Sequence, residues 1–428
     1  YISWSEIEAS EREYFSKGKY EGIEYSCRPN HKDAQPNYYL FFMLKAASLL
    51  KKDGTLAFIV PQEWLFSNYS ADFRIGFTKL FDDIKVVKFN PNFKVFKSFN
   101  EVIGTSSLII ILKKSGKRMI TFQYSDASDE NIVRQQLSSN TFNNQFSEKL
   151  DKFANSIWDI KEKDLDAVKR KILKLPNIVF LNDKKYFDVK GGFQPPVETA
   201  ELFELDKNNF NMLKENERKF VFNLVYNANE IKKYHLANVG KRYWIVTNNI
   251  KKESEFKAKC PTLYNILSDK IKNKKGNWWH FPNVRNFELF SESYIKILSP
   301  RTAALPSFAI DENRSLFKGT NTAIISKKID PYYLLAILNS KLSDFWYSNF
   351  GYDYHGGKSK KYEPDKVRNY SIPIVLAPTS EQIEVSELSR AATKLRLELE
   401  NYGEKNTAEA NNLRKELSDV INEIDKKI

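Results

Sequence analysis

The chain has 428 residues, enough for two or three separate cores, and its 42% apolar and 28% charged residues exclude collagenous, low-complexity and wholly disordered classes. Two cysteines, Cys27 and Cys260, exclude a disulfide framework or a four-thiolate zinc site and favour a reduced, cytoplasmic setting. The net charge of +13 is unevenly spread: residues 181–376 carry +11, residues 1–124 carry +5, residues 125–180 are neutral and residues 377–428 carry −3, a concentration that points to a polyanionic partner. The longest apolar run, Leu108 to Leu112, is far too short for a membrane span, and no export leader opens the chain, so no membrane partner is expected. Position 1 is Tyr rather than Met, which reads as a processed or excised piece of a longer polypeptide.

Along the chain, apolar residues from Asn37 to Lys52 recur at helical spacing and end in Lys51-Lys52-Asp53-Gly54, a cationic last turn with a glycine stop. Thr55 to Val60 is a continuous apolar run closed by Pro61, which suits a strand buried on both faces. A helix over Ala71 to Phe81, a strand from Ile84 to Phe89 and a strand from Ser106 to Leu112 follow. This order is the second half of a doubly wound α/β domain. The first half, which would carry a glycine-rich cofactor turn, is not in the sequence. Residues 125–180 are polar and read as a connector, with a helix over Leu165 to Leu175 before Pro176. From Asp183 to Val375, short aromatic and β-branched runs broken by Gly, Pro and Asn alternate with helices such as Pro331 to Tyr347, the pattern of a separate α+β domain. From Ser380 the chain turns Leu/Glu/Lys-rich, with two helices split near Gly403.

The basic segment also holds Trp244, Trp278, Trp279 and Trp346, and basic residues interleaved with aromatics suit nucleic acid. Within it, Tyr352-Asp353-Tyr354-His355-Gly356-Gly357-Lys358-Ser359-Lys360-Lys361-Tyr362 puts lysines, a histidine and tyrosines on a glycine-hinged loop suited to phosphate and groove contact. Gly191-Gly192-Phe193-Gln194-Pro195-Pro196 lacks the Lys-Ser/Thr of a phosphate loop and reads as a strand-to-turn punctuation. His31, His235, His280 and His355 lack metal-ligand spacing, and no metal is expected. Glu255-Phe256-Lys257 and Glu230-Ile231-Lys232 match half of a nuclease motif but are expected by chance in so basic a chain.

Three stretches carry a family resemblance. Tyr1-Ile2-Ser3-Trp4, followed by the helix from Asn37 and by Gly54 to Leu65, is similar to the methyltransferases that modify adenine in DNA, with Tyr1 in the place of the last residue of their Asn-Pro-Pro-Tyr motif. Val95 to Ile109 resembles that family's late motif, where a Phe precedes a Thr/Ser-rich turn into an apolar strand. Asn277-Trp278-Trp279 to Arg285, Ile295 to Arg301, Thr320-Asn321-Thr322, Leu334 to Leu342 and Ile372-Pro373-Ile374 resemble the TaqI-like C-terminal specificity domain. The resemblance covers roughly 370 residues and implies an adenine-N6 DNA methyltransferase of a type IIG or TaqI-like restriction-modification system, which flips its base from the duplex and takes its methyl group from S-adenosylmethionine.

The fold expected is α/β, the rear half of a doubly wound methyltransferase sheet over residues 1–124, with a connector over 125–180, a separate α+β target-recognition domain over 181–376 and a helical C-terminal tail over 377–428. The resemblance assigns Tyr1 to stacking on the flipped base and Phe99 to its other wall, with Phe96 in reserve. Gln194, Arg242, Trp278, Arg301, His355, Lys358, Lys360 and Lys361 are the candidate DNA contacts. S-adenosylmethionine would be bound mainly by residues upstream, so the fragment alone is expected to be inactive. Partners are double-stranded DNA and a restriction endonuclease domain or subunit. A non-enzymatic DNA-specificity module and a single-strand or RNA binder are the alternatives.

Overall fold

The computed structural model describes residues 6–25, 37–65, 70–90, 93, 107–142, 144–153, 158, 163–291, 295–354, 359–361 and 372–428. It divides into two compact units, Tyr1–Lys171 with Asp353–Lys358, and Ile172–Tyr352 with Ser359–Ile428.

In unit 1, helix α1 (Ala9–Ser16) precedes α2 (Tyr38–Leu49), whose apolar spacing buries Leu40, Phe41, Met43, Leu44 and Ala47. Phe15 of α1 stacks on Phe41 with centroids 4.0 Å apart, which ties the two helices together. The expected glycine stop is displaced. The helix already ends at Leu49, and Asp53, at φ 61°, makes the left-handed turn instead. Strands β1 (Thr55–Pro61), β2 (Asp83–Phe89), β3 (Ser107–Lys113), β4 (Met119–Ser125) and β5 (Asn144–Lys149) form one sheet in the order β1-β3-β2-β4-β5. β3 runs antiparallel to both β1 and β2, while β2 and β4 are parallel.

Helix α3 (Ala71–Leu80) buries Phe73 and Phe77. Its Gly76 lets Ile23 lie against the backbone, since a Cβ there would fall 2.7 Å from Ile23 Cγ2. Burial of both faces of the Thr55–Val60 strand is not observed. β1 is an edge strand in which Thr55, Ala57 and Ile59 are exposed, Ile59 by 46%, because it pairs on one side only among the described residues. The polar stretch read as a connector contributes β5 to this sheet, with α4 (Glu130–Ser139) ahead of it. Asp129 starts α4 by accepting from the amides of Asn131 and Ile132.

After a first strand, Ile178–Phe180, which pairs with Pro373–Val375, unit 2 has β6 (Phe187–Gly191), β7 (Glu204–Asp206), β8 (Val221–Val225) and β9 (Arg242–Ile245). It continues with β10 (Lys296–Pro300), β11 (Thr302–Ala303), β12 (Ala309–Asp311), β13 (Leu316–Phe317), β14 (Asn321–Ser326) and β15 (Ser359–Lys361). One four-stranded antiparallel sheet has the order β12-β10-β14-β6, and a second, mixed sheet has the order β7-β9-β8-β13, with β13 parallel to β8. Between them lies an aromatic core in which Phe193 stacks on Trp244 at 5.9 Å and Phe290 meets Phe317 at 4.7 Å. Lys296 and Asp311 face each other across β10 and β12 with no solvent exposure, Nζ 3.3 Å from Oδ2. Burial pushes the Lys296 ammonium below the usual lysine range while Asp311 opposes the shift.

The single helix expected over Pro331 to Tyr347 is two, α5 (Pro331–Asn339) and α6 (Lys341–Phe350). Ser340 leaves helical geometry and its Oγ caps the second helix at the Ser343 amide. Helices α7 (Thr379–Glu400) and α8 (Ala408–Lys427) form a hairpin turned at Gly403, at φ 56°. The hairpin is fastened to the rest of unit 2 at both ends. Glu400 takes His235 Nε2 at 2.7 Å and the Asn238 amide at 3.3 Å, and Asp425 accepts from the Lys341 amide at 2.8 Å.

Candidate nucleic-acid interface

The site is built where β6, β10 and β14 end together. After Gly191 the chain must turn against the segment that links β13 to β14, and Gly192 makes this possible. A Cβ there would lie 2.3 Å from the Phe317 carbonyl oxygen and 2.5 Å from that of Lys318. The Gly192 amide donates to Asn321 O at 3.2 Å, the Phe193 amide to Phe317 O at 2.9 Å and the Gly319 amide to Phe193 O at 2.6 Å. The Phe193 ring is buried in the aromatic core, so the next residue, Gln194, projects from a fixed backbone to the surface. Its chain lies on Gly319, where a Cβ would fall 2.6 Å from Gln194 Cγ.

Two arginines converge on this turn. Arg301, directly after β10, donates its amide to Thr320 O and Nη1 to Gly319 O, each at 2.8 Å. Arg285 sits on a turn between two left-handed asparagines, Asn283 and Asn286, and donates Nη1 to Gln194 Oε1 at 3.2 Å. Asn286 Nδ2 reaches Gly191 O at 3.4 Å, which seats the Arg285 turn beside Gln194. β11 follows Arg301 and pairs with β15, Thr302 opposite Lys361 and Ala303 opposite Lys360. Beneath the turn the Asn321 amide group is fully buried, with neither atom hydrogen-bonded among the described residues. A second group of cations surrounds Tyr226. Lys318 Nζ is 3.3 Å and the Arg242 guanidinium 4.3 Å from its ring centroid. The buried Glu230 carboxylate fixes this column by accepting Arg242 Nη2 at 3.1 Å and the Tyr226 amide at 2.9 Å.

Of the candidate contacts, Gln194 and Arg301 come together with the backbone of Lys360 and Lys361 at one sheet end. Arg242 is held in the Glu230 ion pair beside Tyr226. Trp278 is 7% exposed and packs against Tyr264 and Trp279, so its indole is part of the core. Tyr1, Phe96, Phe99, His355 and Lys358 lie outside the described residues. The sequence reading missed Arg285 and Lys318. The Asn283-Val284-Arg285-Asn286 run, with asparagines suited to left-handed turns, was the available signal for the first. Among the described residues no group of His, Cys, Asp and Glu could hold a metal ion, and no helix is long and apolar enough to cross a membrane.

Residues 4–96 match the sequence model of the Eco57I restriction-modification methylase family, and residues 224–370 match that of the TaqI-like C-terminal specificity domain. No curated protein matches the chain. Among solved structures, the Type IIL restriction-modification enzyme MmeI in complex with DNA is similar over 100% of this chain and 52% of its own, at 14% identity and a TM-score of 0.52. The DrdV–DNA complex aligns over 95% of this chain and 45% of its own, at 13% identity and a TM-score of 0.48. The type IIG restriction endonuclease BpuSI aligns over 92% and 49%, at 14% identity and a TM-score of 0.38. The chain thus spans about half the length of the solved enzymes it matches. The likeness to MmeI, spread over both units, is one of fold. With both sequence models matched in this order, the chain carries an Eco57I restriction-modification methylase segment followed by a TaqI-like C-terminal specificity domain.

Proposed function

We propose that unit 2 binds a specific duplex DNA site and that the parent enzyme methylates adenine N6 there, with S-adenosylmethionine as methyl donor, within a restriction-modification system. The observation that carries the reading is the end of the β6/β10/β14 sheet. There Gln194, Arg285 and Arg301 stand on three interlocked turns, in the segment that holds +11 of the net charge. Arg301, Lys318 and the Lys358–Lys361 segment would neutralise phosphates, while side chains on the turn read bases.

In unit 1, Tyr1 and Phe99, with Phe96 in reserve, would wall the flipped adenine. The described residues do not fit the cofactor. The unit's described glycines, Gly18, Gly22, Gly54, Gly76 and Gly116, include none that turns a strand into a helix, so the described residues form no cradle for the donor's carboxylate and ribose. The layout proposed is a methyltransferase half over 1–124 whose sheet is completed by β5 of the linking stretch 125–180, recognition over 181–376 and a helical tail over 377–428, with a restriction endonuclease domain or subunit as a further partner.

The test is binding of the whole chain to a labelled duplex library between 50 and 200 mM salt. A contact with six to ten phosphates weakens binding by roughly 10³- to 10⁵-fold over that range. Salt-insensitive binding, or preference for single strands or RNA over duplex, would overturn the reading.

A further inference from the structure

The Gln194–Arg285 contact fixes more than position. A guanidinium has donors only, so the end of Gln194 that faces Arg285 must be its oxygen, and the usual ambiguity between the two ends of an amide is removed. Packing on Gly319 holds the rest of the side chain, with Nε2 3.1 Å from where a Cβ on that glycine would stand. Gln194 is exposed, and its NH₂ lies beside Gly319. Among the described residues it makes no other hydrogen bond, and Arg285 forms no ion pair. The pair offers a row of N–H donors, exposed at the tip of two anchored turns.

Resting on the duplex-binding reading above, we propose that Gln194 and Arg285 together read the N7/O6 edge of one guanine in the major groove. That edge alone among the four bases shows two adjacent acceptors. A glutamine free at both ends would instead suit adenine, accepting from N6 and donating to N7. Here Arg285 takes one of the oxygen's two lone pairs and sets its own guanidinium donors beside it, so adenine's amine would face donors. The two residues are 91 positions apart, and their contact depends on the Asn286 bond to Gly191 and on the glycine at 319.

The experiment selects bound sequences from a randomised duplex library with the whole chain, its R285A and Q194E variants, and, on the selected site, duplexes carrying 7-deazaguanine. The wild-type motif is expected to contain a guanine whose preference collapses in R285A, with the other positions kept. In Q194E, a carboxylate keeps its partner Arg285 but replaces the NH₂ donor with an acceptor, so preference at that one position should move to a base presenting an amine, cytosine or adenine. 7-Deazaguanine there should weaken wild-type binding roughly ten- to a hundredfold. A motif unchanged in Q194E, together with full tolerance of 7-deazaguanine at every guanine, overturns the inference while leaving duplex recognition intact. The deaza arm uses unaltered protein, so it decides even where a variant fails to fold. Absence of any selected motif would sink the duplex-binding reading and this inference with it.

Discussion

Replacing Gly192 by Ala should unfold unit 2 at a markedly lower temperature. The added methyl would stand 2.3 and 2.5 Å from two carbonyl oxygens and 2.5 Å from Phe317 Cδ2, and two of the three obstacles are backbone that cannot rotate aside. Relief requires separating the 191–194 turn from the 317–321 segment, which strains three hydrogen bonds and loosens the Phe193 ring from Trp244. Overpacking of this kind costs about 1–3 kcal/mol, and strained hydrogen bonds about 1 kcal/mol each, so a loss of at least about 3 kcal/mol is expected. For a unit of this size that lowers Tm by about 6–12 °C. The assay is thermal unfolding followed by tryptophan fluorescence, with Gly319→Ala as the comparison. At Gly319 the new methyl meets mainly the flexible Gln194 side chain, so stability should fall less while Gln194 is displaced. Equal melting of wild type and Gly192→Ala, or a larger loss for Gly319→Ala, would refute the reasoning.

Lys296→Ala should destabilise by about 3–5 kcal/mol in chemical denaturation, because it leaves the buried Asp311 carboxylate without its counter-charge; a loss below about 1 kcal/mol would mean that the amides of Asn313 and Ser315 satisfy that carboxylate by themselves. Glu204→Gln should raise Tm at neutral pH. Burial pushes the Glu204 carboxyl above the usual range against the pull of Lys318, Arg242 and Lys270, and its Oε1 is buried without a hydrogen-bond partner among the described residues. A raised carboxyl pKa means that the ionised form costs stability above the folded-state value and that this cost vanishes below the unfolded one, so the gap between variant and wild type should close as pH falls to about 4. Glu230→Gln should weaken the hold on Arg242 and on the Tyr226 amide together, read as a lower Tm that Arg242→Ala does not lower further; additive losses would show that the two act independently.

The elements of unit 1 were legible because their signals are local. Tyr38–Leu49 and Ala71–Leu80 have helical apolar spacing, and Asp83–Phe89 and Ser107–Lys113 are dense in β-branched residues. β5, with the sequence Asn144-Gln145-Phe146-Ser147-Glu148-Lys149, was not. Its polar residues read as loop, and it is a strand because β4 supplies a ladder, as when Thr121 faces Ser147. Ser340 hid its break between two helices inside one apolar run, since a cap is set by one hydroxyl while periodicity averages over many residues. At the candidate interface, Gln194 and Arg301 were expected as contacts, and the structure brings them together around Gly319. Arg285 could not be joined to Gln194 from sequence, because the link is made by the meeting of distant turns. Trp278 was misleading for the opposite reason, as an aromatic beside lysines reads alike in a core and on a binding face, and only burial separates them.

The α7–α8 hairpin bears on how recognition could be transplanted between enzymes. A cassette cut at residues 224 and 370, the limits of the family match, would leave behind β6, β7 and Gln194 at one end and both helices at the other. β14 would lose its β6 neighbour, Tyr332 would lose the Arg390 guanidinium 3.9 Å above its ring, and His235 would lose Glu400. The graft that keeps these fastenings starts before the strand Ile178–Phe180, which pairs with Pro373–Val375, and runs to the end of α8. An exchange of specificities on this scaffold would therefore move the hairpin along with the reading turns.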